Sequence, residues 1–385
     1  METINTQITT KKHRYIFIDV LRGLAVLWMI ETHVLDATLL NSFKQGLFYY
    51  LLDLSNGFVA VSFLFFAGSG FWIAATRKAE SYRRFETPLW QYLKRLGLIL
   101  ILAYWLHMPA MSFRVFPNLN MQSWLKFFEC DVLQTIVYSS LIALVFLLLI
   151  KNLKLLKYFY GFIALAIFLI APFVWDTEPI KYLPVFFATL FSKYPISKFP
   201  LFPWSGYFFA GIFISGLFFE SKNKERLARI FTITGIISLL ILYYTWKSTQ
   251  FYPGYQDWWH ISPFHSLFRT SFVVTLFGFF FLLEEKYKET FFGKALTLAG
   301  QESLFIYIFH LLIVYGSIVN HGLNYFIGNH LSPLDAALLI IGIWIVSYSS
   351  ALSWNYLKNT NPKYSRFIIL SYFLLFFIIL LIRPF

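Results

Sequence analysis

A carboxylate, a guanidinium and an imidazole share one apolar stretch of this chain: Asp19, Arg22 and His33, within Arg14–Asp36. At 100° per residue, Asp19, Arg22, Val26, Met29, Ile30 and His33 fall on one helix face, and Glu31 points away. The rise per residue separates Arg22 from His33 by about 16 Å. Each ionisable group at depth in a bilayer costs about 2.5–3.5 kcal/mol even on mild insertion scales, so such a stripe is too expensive to be ornament. Arg22 is a permanent cation suited to phosphates, with Asp19 at i−3 placed to orient it. His33 titrates near neutral pH and can act as general base or transient acyl carrier.

A second set lies near residue 300. Gly300-Gln-Glu-Ser303-Leu-Phe-Ile-Tyr307-Ile-Phe-His310 puts a hydroxyl, a phenol and an imidazole on one face. His310 is read either as part of a polar path or as a histidine hydrogen-bonded to a neighbouring helix. His265 and Arg269 form an i,i+4 basic pair; Arg269 cannot shed its proton and needs a carboxylate, an acidic substrate group or water, a structural salt bridge being the commonest solution. Ala67-Gly68-Ser69-Gly70 leaves little side-chain bulk, so another backbone or a thin ligand arm could approach. Asp257, Trp258 and Trp259 offer aromatic faces beside a carboxylate, suited to stacking on a sugar or to an aromatic belt at the headgroups. No paired histidines stand at metal-ligand spacing, so no metal is expected. Cys130, the single cysteine, reads as a structural thiol.

The elements that must position these groups are membrane helices. Of the 385 residues, 58% are hydrophobic, 22% aromatic and only 13% charged, against about 25% charged in soluble domains. Eleven apolar segments can be placed: 15–36, 55–76, 89–110, 131–150, 156–175, 201–220, 229–247, 266–283, 296–319, 333–354 and 366–383. The expectation is an all-α polytopic protein of about 11 spans, with a cytoplasmic tail over 1–14 and a single membrane domain over 15–383. With the N-terminus inside, 22 of the 32 Lys and Arg fall in inner segments, which fixes the orientation as N-in, C-out. The net charge of +13 is thus topology and not nucleic-acid binding. His33, His107, His260, His265, His321 and His330 gather at the outer ends of their spans and suggest a polar mouth there.

Arg14-x4-Asp19-x2-Arg22-Gly23, then Met29-x3-His33-x2-Asp36 and Phe63-Leu-Phe-Phe-Ala-Gly68, resemble the membrane acyltransferases related to heparan-α-glucosaminide N-acetyltransferase. Val132-Leu-Gln134, Pro203-Trp204-x-Gly206-Tyr207 and Gly300-x2-Ser303-Leu-x2-Tyr307-x2-His310 are similar to that family's later blocks. The acyltransferase-3 superfamily is a near neighbour. The resemblance implies acetyl-CoA bound from the cytoplasm and acetyl delivered across the membrane to a saccharide or other acceptor, in a bacterial cytoplasmic membrane. In the lysosomal enzyme the catalytic histidine lies further along the loop after this span; here no histidine stands between Phe43 and Trp72, and His33 is the substitute. On this reading His33, Asp19 and His310 serve the chemistry, and Arg22, Gly68, Gly70, Arg83, Arg84 and Arg95 hold acetyl-CoA. Asp36, Asp257, Trp258, Trp259, His265 and Arg269 face the acceptor. Membrane lipids, and a second copy in a homodimer, are further expected partners. The rival is a proton-coupled permease, since intramembrane Asp/Arg/His stripes also mark solute pathways; the chain has no inverted repeat to support it.

Overall fold

The computed structural model describes residues 15–194, 196–248 and 258–383. The N-terminal tail therefore lies outside the described residues. The architecture is all-α. Twelve helices carry the argument: α1 (Ile16–Thr38), α2 (Val59–Arg83), α3 (Thr87–Leu106), α4 (Val132–Leu149), α5 (Leu153–Asp176), α6 (Leu201–Glu220), α7 (Lys224–Ser248), α8 (Pro263–Tyr287), α9 (Phe291–Gln301), α10 (Ser303–Val314), α11 (Pro333–Thr360) and α12 (Pro362–Ile382). Each of the eleven apolar segments falls on one of them or, for 296–319, on the α9–α10 pair. Among the described residues eight helices are long and apolar enough to cross a membrane, or nine if α9 and α10 form one span. α1 and α3 are 23 and 20 residues long. α1 falls outside that apolar class by carrying Asp19, Arg22 and Glu31 along one span.

Local sequence sets the helix starts. Asp131 caps α4 in a capping box with Gln134, Ser262 caps α8 ahead of Pro263, and Ser332 caps α11 ahead of Pro333. Each cap satisfies N–H groups that the first turn leaves without intrahelical partners, and proline at the first position forfeits nothing.

α1 is the hub. Its first half packs Phe17, Ile18 and Leu21 into an aromatic core with Phe65, Tyr160, Phe208, Phe218 and Phe277. Its second half packs Val26, Met29, Ile30 and Val34 into a separate core with Val59, Ile306, Tyr307 and Ile340. Two close crossings fix this arrangement. A methyl group at Gly23 would strike the Leu296 carbonyl, and one at Gly300 the Asp19 carbonyl, so α1 and α9 meet backbone to backbone. A methyl at Gly68 would strike the Phe208 carbonyl, and one at Gly211 the Phe65 carbonyl, so α2 and α6 do the same. Small residues admit such approach, which lets helices associate in lipid where no hydrophobic force draws them together.

The segment read as one span over 296–319 is broken: α9 and α10 meet at 79°. No proline causes the bend. Gly300 holds α9 against α1, while Glu302 at the break accepts from Asn355 at 2.6 Å and pairs with Lys358 at 2.8 Å. A buried carboxylate with two partners from α11 stabilises a corner that apolar α-helical periodicity alone would have carried straight through.

Candidate active site

The α9–α10 corner brings α10 alongside α1. Near the N-terminal end of α1, Arg22 Nη2 donates to Ser303 Oγ at 2.7 Å, with Asp19 Oδ1 3.9 Å from Nη1. Towards its C-terminal end, His33 Nδ1 lies 2.9 Å from His310 Nε2. The rings are 8° from parallel with centroids 5.2 Å apart, a separation that fits two imidazoles meeting edge to edge in one plane.

The tautomers follow from one carbonyl. His310 Nδ1 lies 2.8 Å from the Ile306 carbonyl oxygen, which can only accept, so Nδ1 carries the hydrogen. With both rings neutral, His310 Nε2 then accepts from His33 Nδ1–H. His33 Nε2 is left with its lone pair, on a residue that lines a large cavity. His310 is fully buried and does not itself line that cavity; its Nε2 reaches only as far as His33, which does.

That cavity, about 1030 Å³, is bounded by His33, His107, Asp131, Lys198, Trp259 and Arg269 among others. A groove of about 370 Å³ lies at the Arg22 end, lined by Arg22, Lys78, Arg95, Gly70, Tyr92 and Ser303. Phe63, Val132 and Tyr307 line both. The His33 chamber and the Arg22 groove therefore meet at a shared wall in the middle of the bundle.

The wall has a polar anchor outside the sequence-derived site set. The Tyr307 hydroxyl donates to Asp131 Oδ2 at 3.2 Å. Asp131 also accepts from the Val132 N–H at 2.7 Å and faces His107 Nε2 at 3.6 Å, and His107 Nδ1 faces Glu129 at 3.8 Å. Burial pushes the Glu129 carboxyl up, against the opposing pull of His107 and Lys198. Asp131 was legible as a polar residue at a span end; its approach to Tyr307, 176 residues away, was not. Burial also pushes the Cys130 thiol up to about 12, which suits a structural role.

Several expected site residues lie elsewhere. Gly68 does not line the groove, because the α6 backbone occupies the space its missing side chain leaves. Gly70, two residues on, does line it, and a methyl group there would have nothing within 4 Å. Arg83 donates to the carbonyls of Leu147 and Ile150 at 3.2 and 2.9 Å and pairs with Glu80, closing the C-terminus of α4. Arg84 is exposed and borders neither cavity. Arg95 does line the groove, joined by Lys78. Asp36 is exposed and accepts from the Tyr315 hydroxyl at 3.2 Å, at the rim. His265 is buried and its Nδ1 is hydrogen-bonded to the Trp259 carbonyl, so it supports Trp259 from behind. Asp257 lies outside the described residues, as does the side chain of Trp258. Among the described residues no three His, Cys, Asp or Glu side chains gather to hold a metal ion.

Residues 14–248 match the family model of the heparan-alpha-glucosaminide N-acetyltransferase catalytic domain. The chain belongs to this family. It is accordingly a membrane acetyltransferase, built as a multi-pass all-α protein. The match takes in α1 through α7, and with them Arg22, His33, Arg95 and Asp131; Arg269 and His310 lie beyond it. A comparison with curated proteins finds no match.

Proposed function

We propose that this acetyltransferase takes acetyl-CoA at the cytoplasmic Arg22 groove and acetylates a saccharide hydroxyl or amine in the His33 chamber on the opposite side of the membrane. The meeting of the two cavities at Tyr307, Phe63 and Val132, beside the His33–His310 pair, carries this reading. The orientation rests on the excess of Lys and Arg in the segments assigned to the inside.

The groove fits the donor. Its lining cations, Arg22, Lys78 and Arg95, suit phosphate groups through charge-assisted hydrogen bonds, and the open space at Gly70 admits a thin arm. Acetyl-CoA would supply an activated thioester, whose C–S bond breaks as the acceptor's new O–C or N–C bond forms. Arg22 is held towards the groove by Ser303 and Asp19. His33 Nε2 takes the proton that the acceptor sheds. His310 fixes the tautomer that makes this possible, and Asp131 holds the Tyr307 hydroxyl at the boundary between the chambers. A positioned base of this kind contributes about 10²–10⁴-fold.

Purified protein in sealed vesicles, given labelled acetyl-CoA on the cytoplasmic face, tests the reading. Release of CoA with label on an added sugar, abolished in His33→Ala while acetyl-CoA binding is retained, is the expected result. An active His33→Ala protein would remove His33 from the chemistry, and absence of acetyl-CoA binding would remove the donor assignment.

A further inference from the structure

Tyr307, with Phe63 and Val132, lines both the Arg22 groove and the His33 chamber. All three are buried, at 5, 9 and 4% exposure. The seam between the cavities is therefore two hydrocarbon side chains and one phenol. That phenol is committed at two points. Its O–H is given to Asp131 Oδ2 at 3.2 Å, and its ring meets His310 edge to face, 85° apart with centroids at 5.9 Å. A phenylalanine would fill the same space. The added hydroxyl would cost free energy in so apolar a place unless it were bonded, and bonded to a carboxylate it fixes the direction of the ring.

Asp131 is held in its turn. It begins α4, accepting from the Val132 N–H at 2.7 Å, while its own N–H donates to Gln134 Oε1 at 3.2 Å. Gln134 Nε2 donates to the Glu129 carbonyl at 3.3 Å. The start of one helix thus fixes a ring on another, 176 residues away.

Across this seam the chemistry needs a barrier. Charged and imidazole groups such as Glu129, Lys198 and His107 line the chamber, and polar groups of this kind hold water. A base placed to take a proton from a sugar takes one from water equally well. Water that reached the thioester would bond through its oxygen to the acetyl carbon as the C–S bond broke, the electron pair leaving with sulfur as CoA thiolate. One water proton would pass to His33 Nε2 and the other would stay on acetic acid. An apolar constriction resists wetting, which leaves the thioester to the acceptor.

We infer that Tyr307, locked by Asp131, is a specificity-determining residue that keeps chamber water from the donor thioester, and that unlocking it turns the protein into an acetyl-CoA hydrolase. The inference rests on the donor and acceptor sides proposed above. Tyr307 exchanges no proton in either reaction.

The test needs no acceptor. The full chain in nanodiscs is given saturating acetyl-CoA alone, free CoA and acetate are measured together, and acetyl-CoA affinity is read by calorimetry on the same sample. Tyr307→Phe keeps the ring and removes the lock. Acetate release should rise about tenfold over the parent protein, the weight of one hydrogen bond to a charged group. Asp131→Asn should raise it as well: asparagine caps a helix as well as aspartate does, but with its oxygen taken by the Val132 N–H it turns an amide N–H, and no acceptor, towards the phenol. Val132→Ala widens the seam without touching that bond and should do the same, which serves if Tyr307→Phe proves unfolded. Hydrolysis no faster than the parent's in the folded variants, with acetyl-CoA still bound, overturns the inference and leaves the donor assignment standing. Absence of acetyl-CoA binding by the parent protein removes the donor assignment, and the inference with it.

Discussion

The Arg22 groove and the His33 chamber are built on opposite principles. The charged side chains lining the groove are all cations, Arg22, Lys78 and Arg95, set among tyrosines and small residues. The chamber mixes Asp53, Glu129 and Asp131 with Lys126, Lys193, Lys198 and Arg269, besides three histidines. A one-sign site attracts any polyanion by its summed field and is sensitive to salt. A mixed site instead recognises a ligand by pairing particular groups and penalising wrong ones. The groove is therefore suited to a fixed, phosphate-rich donor, and the chamber to choosing an acceptor.

The sharpest way to break this division is His33→Ala. It should lower the turnover number by about 10²–10⁴-fold and leave the acetyl-CoA dissociation constant unchanged, measured by calorimetry on the same sample. Loss of donor binding in that variant would mean that the two cavities are one site. Neutralising the groove should do the reverse. Arg95→Gln and Lys78→Gln should each raise the KM for acetyl-CoA by about tenfold, the worth of one charge-assisted hydrogen bond, with turnover little changed. The effect should shrink as ionic strength rises. A uniform fall in turnover would instead place these cations at the reacting centre.

How far the sequence reaches differs between the two regions for a physical reason. Helical periodicity alone placed Asp19, Arg22 and His33 on one stripe and Ser303, Tyr307 and His310 on another, and the structure joins the two stripes at both ends, Arg22 to Ser303 and His33 to His310. Polar residues inside apolar helices are costly, so they stand out. The α9–α10 corner did not stand out, because Gly300 and Glu302 make it through contacts with α1 and α11 that no local pattern encodes. Arg83 and Arg95 look alike in sequence as basic residues near span ends. Only packing sends one to the carbonyls that end α4 and the other to the groove. The Glu129–His107–Asp131–Tyr307 chain has the same character, since its members come from three distant stretches.

His310 offers a finer cut within the chamber. His310→Phe removes the acceptor for His33 Nδ1–H but not the base itself, so turnover should fall by roughly tenfold, the cost of one buried hydrogen bond, with KM values unmoved. Because the tautomer is no longer fixed, the pH–rate profile should shift as well. An unchanged profile with the same fall in turnover would reduce His310 to a packing residue.

The smallest effects come from a pair of glycines that stand close together on α2 and differ in role. Gly68→Ala drives a methyl into the Phe208 carbonyl where α2 crosses α6, and overpacking of this kind costs about 1–3 kcal/mol. Its melting temperature should fall while the KM for acetyl-CoA stays put in whatever protein remains folded. Gly70→Ala meets nothing within 4 Å and should leave stability within about 0.5 kcal/mol, as surface substitutions do. Replacing Gly70 by leucine then fills the groove without touching any cation. If an arm of the donor lies there, the KM for acetyl-CoA rises and its salt dependence is preserved, because the phosphate contacts remain. If Gly70→Leu binds the donor as tightly as the parent protein, the arm takes another course, and the open space at Gly70 is only a gap facing lipid.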